Sequence, residues 1–373
     1  MQHCEHPENA PEYEGLKVNK GIEQPAAMNP DIHNRLKNIK KTVLTTDEYV
    51  EGILKGDINI LSQAITLVES AREDHKNVAQ ELINRCLPSI GKSVRIGITG
   101  VPGAGKSTFI ESFGKYLSSE GHKIAVLAID PSSERSKGSI LGDKTRMEEL
   151  ASDPRAYIRP SPSAGSLGGV ARKTREAMFL CEAAGFNIIL IETVGVGQSE
   201  TAVHSMVDFF LLLQIAGAGD ELQGIKRGIM EMADTIIINK ADGSNIQRAE
   251  LSQSQLQTAL HFFPPHESGV EPKVMTASAY EKRGIKEIWE NILCYCSKTQ
   301  QNGYFDEKRG QQAKYWMYET INEQLRNHFY SKQKDAITVA EKKVLRNELS
   351  SFAAAFELLE GYFQDVSFRK NDG

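Results

Sequence analysis

The stretch Ser93-Val94-Arg95-Ile96-Gly97-Ile98-Thr99-Gly100-Val101-Pro102-Gly103-Ala104-Gly105-Lys106-Ser107-Thr108 decides the fold. Its first half is apolar enough to be a strand, its middle reads G-x-x-x-x-G-K-S, and Phe109 to Tyr116 continue as the opening of a helix. Strand, glycine loop and helix in that order make a P-loop in its proper setting. A triphosphate needs several backbone N–H donors converging on its oxygens, and glycine lets the main chain come that close. Gly103 and Gly105 serve that approach within the cradle Gly100, Val101, Pro102, Gly103, Ala104 and Gly105. Lys106 reaches the β- and γ-phosphates, and the Ser107 hydroxyl takes one Mg²⁺ position. Thr108 lies at the helix N-terminus, where the dipole favours an anion.

Downstream, apolar runs alternate with helical stretches: Lys123 to Ile129, Asn187 to Ile191, Phe209 to Gln214, Thr235 to Ile238 and Lys273 to Thr276. This is the α/β pattern of a mainly parallel sheet flanked by helices, whose ligands bind at the carboxyl ends of the strands. The residues just after each run are therefore the candidates for chemistry. Asp130 follows the first run, and its loop continues to Asp143; both are candidate Mg²⁺ ligands, direct or through water, and each also reads as a helix cap or a solvated loop acid. Glu192 follows the second, in the place usually held by a Walker-B aspartate, and Gly195 three residues on suits a backbone N–H that senses a γ-phosphate. Lys106, Asp130, Asp143 and Glu192 are thus the catalytic candidates, and Ser107, Asp130, Asp143 and Glu192 the metal-binding ones. Asn239-Lys240-Ala241-Asp242 follows the Thr235 run as N-x-x-D with lysine second. A carboxylate at Asp242 accepts from the guanine ring N–H and amino group together, a donor pair that adenine lacks, while Lys240 lies along the base plane. Ser278 and Ala279, after the last run, fit a loop whose backbone closes over the base.

Composition narrows the alternatives. The 373 residues are 40% apolar, enough for a sizeable core, and a net charge of −5 argues against nucleic acid as a partner. No run is long enough to span a bilayer, so no membrane partner is expected. The odd set Cys4, Cys86, Cys181, Cys294 and Cys296 supports neither a disulfide framework nor a zinc ribbon, and a cytoplasmic protein is expected. The acidic opening of the chain resembles neither a secretory signal nor a transit peptide.

Four parts are expected along the chain. Residues 1–30 are proline-rich and polar and read as a disordered lead-in, in which His3-Cys4-Glu5-His6 is an incidental cluster rather than a metal site. Residues 31–90 form a helical extension, with a capping box at Thr45 and Glu48, a cap at Asp57, and a stop at Pro88. Residues 91–303 carry the nucleotide domain. Residues 304–373 are helical, with apolar stripes at Met317, Ile321, Leu325 and Phe329 and at Leu345, Leu349, Phe352, Phe356, Leu359 and Phe363. These stripes pack either on their own domain or as a subunit arm. Because the sheet closes before Gly303, the remainder is expected to be removable without loss of nucleotide binding.

Taken together, Ile96 to Thr108, Asp130-Pro131-Ser132-Ser133, Glu192 to Glu200, Gly217 to Lys226 and Asn239 to Asp242 closely resemble the MeaB/ArgK group of methylmalonyl-CoA mutase-associated GTPases. The resemblance covers the chain from about Thr45 onward. It implies a P-loop GTPase that binds GTP and GDP with Mg²⁺, forms a homodimer through its C-terminal helices, and assists assembly, protection or reactivation of a cobalamin-dependent acyl-CoA mutase as a metallochaperone-type switch. It further implies switch loops at Asp130 to Asp143, Glu192 to Glu200 and Ile215 to Lys226. Ala216 departs from the proline that relatives often carry, which loosens the third switch. Gln198 is a candidate for positioning the attacking water. An older description of the group, an ATP-binding kinase linked to arginine and ornithine transport, sits poorly with Asp242. A metal-inserting NTPase is disfavoured because the histidines are scattered and Cys294 and Cys296 lie far from the P-loop.

Overall fold

Runs such as Ile188-Ile189-Leu190-Ile191 and Thr235-Ile236-Ile237-Ile238 are apolar at every position, so neither side of the strand can be given to water. They are the middle of a sheet. The computed structural model describes residues 44–70, 72–129, 147–160, 167–193, 199–217 and 227–368. It places β1 at Val94–Gly100, β2 at Ile124–Ile129, β3 at Ala156–Arg159, β4 at Ile188–Thr193, β5 at Phe209–Ile215, β6 at Thr235–Asn239 and β7 at Lys273–Thr276. All pair in parallel in one seven-stranded sheet of order β3-β2-β4-β1-β5-β6-β7. The chain winds one way from β1 to β4 and the other way from β5, so a crevice opens at the carboxyl ends beside β1. The edge strand β3 is the one strand the sequence pattern did not announce; four residues with an arginine at the end carry too little periodicity.

The helices are α1 (Thr46–Leu54), α2 (Ile58–Glu69), α3 (Glu73–Cys86), α4 (Lys106–Ser119), α5 (Glu148–Ala151), α6 (Leu167–Ala183), α7 (Ser199–His204), α8 (Arg227–Met232), α9 (Ile246–Leu260), α10 (Ile285–Gln301), α11 (Tyr304–Lys332), α12 (Lys334–Leu345) and α13 (Ser351–Phe368). Side chains alternate across the sheet. Ile96, Ile98, Phe209, Leu211 and Leu213 share one core with Phe109, Phe113 and Leu117 of α4 and Ile288, Trp289, Ile292 and Tyr295 of α10. Aromatic rings knit that layer, with Phe113 edge-on to Trp289 at 6.2 Å and Phe209 edge-on to Tyr295 at 4.9 Å. Towards the other face, Gly97 makes room for α7: a Cβ there would lie 2.7 Å from Val203 Cγ1.

The helical extension is attached to this sheet at its edge. Asp57 caps α2 by accepting from the N–H groups of Asn59 and Ile60, worth about 1 kcal/mol, and Leu61, Ile65 and Val68 turn one buried face inward. The same helix reaches β3 through Ser62 and Tyr157, whose hydroxyls lie 3.3 Å apart, and through an ion pair from Arg159 to Glu69.

The first half of α11 differs from a free arm. Arg309 places Nε and Nη2 each 2.7 Å from the Asp208 carboxylate and also donates to the carbonyls of Gly91 and Ser93. Lys308, Gln312 and Trp316 then donate to the carbonyls of Asp208, Val207 and Ser205, turn after turn. These contacts close the amino ends of β1 and β5, so the helix that begins at Tyr304 is part of what holds the sheet. Beyond it, Met317, Ile321, Leu325, Leu345, Phe352, Phe356 and Phe363 stand exposed. The expected lead-in at residues 1–30 and the cluster His3-Cys4-Glu5-His6 lie outside the described residues.

Candidate functional site

The site is assembled where β1, β4, β5 and β6 end. β1 passes into the loop at Gly100, whose Cβ position lies 2.4 Å from the Leu213 carbonyl of β5, so a larger residue would push the two strands apart. The loop closes on itself with the Ala104 N–H donating to the Val101 carbonyl at 3.1 Å. Gly105 occupies the left-handed region at φ 83° as the N-terminal flank of α4. That turn aims the first N–H groups of a 14-residue helix back into the crevice.

Lys106 curls over the loop and donates from Nζ to the Gly100 carbonyl at 2.9 Å. Burial holds its ammonium below the ordinary lysine range, against the pull of the Glu192 and Glu200 carboxylates. A buried cation in that condition gains from an incoming polyanion. Ser107, one residue on, places Oγ 3.3 Å from Glu192 Oε1. Glu192 sits near the end of β4, buried, and the next residue, Thr193, bonds through its hydroxyl to that of Thr99 at 2.9 Å between β4 and β1. A hydroxyl and a carboxylate meeting there form an oxygen-only donor set, the kind that suits Mg²⁺. Among the described residues no group of three or more His, Cys, Asp and Glu side chains is placed to hold a metal ion.

The end of the site expected to read the base is built around Asn239. Its Nδ2 donates to the Ala104 carbonyl at 2.8 Å, and its Oδ1 accepts from the Ala279 N–H at 3.2 Å. One buried side chain thereby ties the phosphate loop to the loop after β7. Lys240 is held at φ 57°, a conformation rare for a lysine, with Cε 3.8 Å from the Cβ position of Gly105. Asp242 flanks a short 3-10 turn, where an aspartate commonly bends back to cap the backbone, yet it makes no such bond. Ser278 Oγ instead donates to Asp242 Oδ2 at 2.6 Å. Ser112 of α4 donates to the Ala279 carbonyl, so the helix after the glycine loop also fixes the loop after β7.

The structure therefore brings together Gly100, Val101, Pro102, Gly103, Ala104, Gly105, Lys106, Ser107 and Thr108 with Glu192, Asn239, Lys240, Asp242, Ser278 and Ala279. Asp130, Asp143, Gly195 and Gln198, with Asp220 and Lys226 of the third loop, lie outside the described residues. Two supporting residues escaped the sequence reading. The Thr99 hydroxyl looked like an ordinary strand position. Arg283, whose guanidinium donates to the Ala241 carbonyl, belongs to no motif in the sequence.

The profile of the family described as "Methylmalonyl Co-A mutase-associated GTPase MeaB" matches residues 61–334. The chain is 48% identical over 318 residues to "Probable GTPase Rv1496" of Mycobacterium tuberculosis, covering 85% of this chain and 95% of that one. It is 47% identical over 289 residues to "GTPase ArgK" of Escherichia coli, covering 78% of this chain and 87% of the relative. It is also 47% identical over 328 residues to "Methylmalonic aciduria type A homolog, mitochondrial" of Mus musculus, covering 85% and 79%. Among solved structures, the crystal structure titled "LAO/AO transport system kinase" superposes with a TM-score of 0.68 at 38% identity, over 87% of this chain and 100% of that one.

Proposed function

Because the chain belongs to the MeaB family and is a P-loop GTPase, we propose that it couples GTP hydrolysis to the assembly, protection or reactivation of a cobalamin-dependent acyl-CoA mutase. The observation that carries the reading is the Asn239 bridge, which makes the phosphate loop and the base loop one rigid frame. In that frame the P-loop N–H groups and Lys106 hold the β- and γ-phosphates, and Asp242 accepts from the guanine N–H and amino groups. Ser107 and Glu192 would hold Mg²⁺, joined by Asp130 and Asp143 directly or through water. When bound, the ion neutralises charge that builds on the transferring phosphoryl group. Water attacks the γ-phosphorus, the bond to the β–γ bridging oxygen breaks, and GDP and phosphate leave. Lys106 stabilises the departing charge.

The mutase part of the reading draws on the family description and on where β5 delivers its loop. β5 pairs with β1 up to Gly100 and Leu213, then turns at Ala216 and Gly217 at the γ-phosphate edge of the crevice. A loop at that position can take different conformations with GTP and GDP and so offer a partner different surfaces, which is the differential affinity a switch requires. The exposed stripes on α11, α12 and α13 support a homodimer joined through those helices. None of the described helices is long and apolar enough to cross a membrane.

The test is GTP turnover with and without a cobalamin-dependent acyl-CoA mutase. Acceleration is expected, and Asp220→Ala combined with Lys226→Ala should weaken it while basal turnover stays nearly intact. No acceleration by any such mutase would remove the chaperone reading. Competition between ATP and GTP distinguishes it from a transport-linked ATP kinase.

A further inference from the structure

Asp242 can read a base only if its carboxylate points into the crevice, and its own backbone gives little help. Lys240, two residues before it, is held at φ 57°. A non-glycine residue in that region persists only where its surroundings over-determine it. Three contacts do so here. The Lys240 carbonyl accepts from Asn245 Nδ2 at 2.7 Å, the Ala241 N–H donates to the Ala277 carbonyl at 3.0 Å, and the Ala241 carbonyl accepts from the Arg283 guanidinium. The last of these fixes the peptide plane whose nitrogen belongs to Asp242.

The backbone at position 283 supports the same carboxylate by a second route, one that does not depend on the side chain. It exchanges two 3.0 Å hydrogen bonds with Ser278, forming an isolated antiparallel bridge. Ser278, so held, turns Oγ toward Asp242 Oδ2 at 2.6 Å and accepts the Glu281 N–H at 3.0 Å. Gly284 permits the close return of this loop: at φ 80°, a Cβ there would lie 2.6 Å from the Thr276 carbonyl. The guanidinium thus sets the peptide, and the bridge sets the serine that sets the carboxylate. Arg283 is otherwise lightly engaged. Its side chain is 51% exposed, and its ion pair with Glu281 spans 3.8 Å, a surface contact of little energetic consequence.

We propose that Arg283 is a positioning residue for guanine recognition, aiming Asp242 by holding the Ala241–Asp242 peptide with its side chain and the Ser278 loop with its backbone. The proposal rests on the reading of Asp242 as the base-reading carboxylate. A misaimed carboxylate loses one of its two base contacts first, so discrimination between bases falls further than phosphate-driven affinity does.

The experiment measures Kd for GDP, IDP, XDP and ADP by calorimetry on the full chain, with Arg283→Met, Arg283→Lys and Asp242→Asn beside the parent. IDP lacks the 2-amino group. Arg283→Met is expected to weaken GDP about tenfold and IDP only about twofold to threefold, with the melting temperature of the nucleotide-free protein nearly unchanged. Arg283→Lys, which retains a donor, should recover most of the GDP preference. Equal weakening of GDP and IDP, or none, in a GDP-selective parent would overturn the positioning role alone. A parent that binds ADP as well as GDP, or an Asp242→Asn variant that gains nothing for XDP over GDP, would overturn the base-reading assignment and the proposal with it.

Discussion

Glu192 carries one methylene more than the aspartate usual at its position, and that length lets Oε1 come within 3.3 Å of the Ser107 hydroxyl across the strand end. If the two share a Mg²⁺ ion, the carboxylate matters most when charge builds on the transferring phosphoryl. Glu192→Ala should then lower single-turnover hydrolysis by about a hundredfold while GDP affinity changes by less than about tenfold. A second consequence concerns His204, at the end of α7. Burial, helped by the Lys308 ammonium and opposed by Asp234, pulls its imidazole from 6.5 down to about 4. Above pH 6.5 the ring is neutral in both folded and unfolded chains and contributes no pH dependence. As pH falls from 6.5 to about 4, the unfolded chain takes the proton and the folded one does not, so stability drops by on the order of 3 kcal/mol. In urea unfolding across that window, His204→Leu should show a flatter profile than the parent. The frame residues Lys106, Ser107, Glu192, Asn239 and Asp242 were legible because phosphate and base chemistry force short, local motifs. Arg283 was not, because its meaning depends on a carbonyl on another strand end.

At the scale of elements, the runs that became β1, β2, β4, β5 and β6 were readable because burial on both faces leaves continuous apolar stretches, and the edge strand β7, where only Val274 is fully buried, was readable from its place after the preceding helix. The role of α11 was hidden. Asp208 looks like an acid before a strand, and Arg309, which answers it, stands 101 residues further on. A separation of that size leaves no periodic trace. Asp208 also accepts the Arg95 N–H at 2.9 Å, and its carboxylate is almost wholly buried. Removing the cation leaves that charge uncompensated, so Arg309→Met should cost about 3–5 kcal/mol in urea unfolding. The boundary expected at Gly303 changes in consequence. A chain ending at Gly303 should be insoluble or unfolded, whereas one ending at Gln333 keeps Lys308, Arg309, Gln312 and Trp316 and should remain soluble and bind GDP. Light scattering and calorimetry on the two truncations check this.

For the whole molecule, the outer stripes have the larger consequence. Phe352 is 79% exposed and Phe356 70%, on a helix whose neighbours Leu345 and Phe363 are exposed as well. Large apolar side chains exposed in this number suit an interaction site, and under the proposed homodimer a second copy of the same stripe would cover them. Phe352→Asp with Phe356→Asp should convert a dimer to a monomer in light scattering, leaving GDP affinity within about twofold because the site lies at the far side of β1 from the Arg309 contacts. The periodicity of these stripes was plain from the residues, but periodicity does not say what covers a face. Arg309 has one more effect, and it falls during synthesis. A ribosome that has just released Asp208 must add the next 101 residues before the guanidinium exists to meet it, a wait of roughly 5–20 s at ordinary elongation rates. Through that interval the amino ends of β1 and β5 lack the side chain that joins Gly91, Ser93 and Asp208, although all seven strands have been made by Thr276, and that end of the nascent sheet stays open to water, proteases and chaperones until Arg309 arrives.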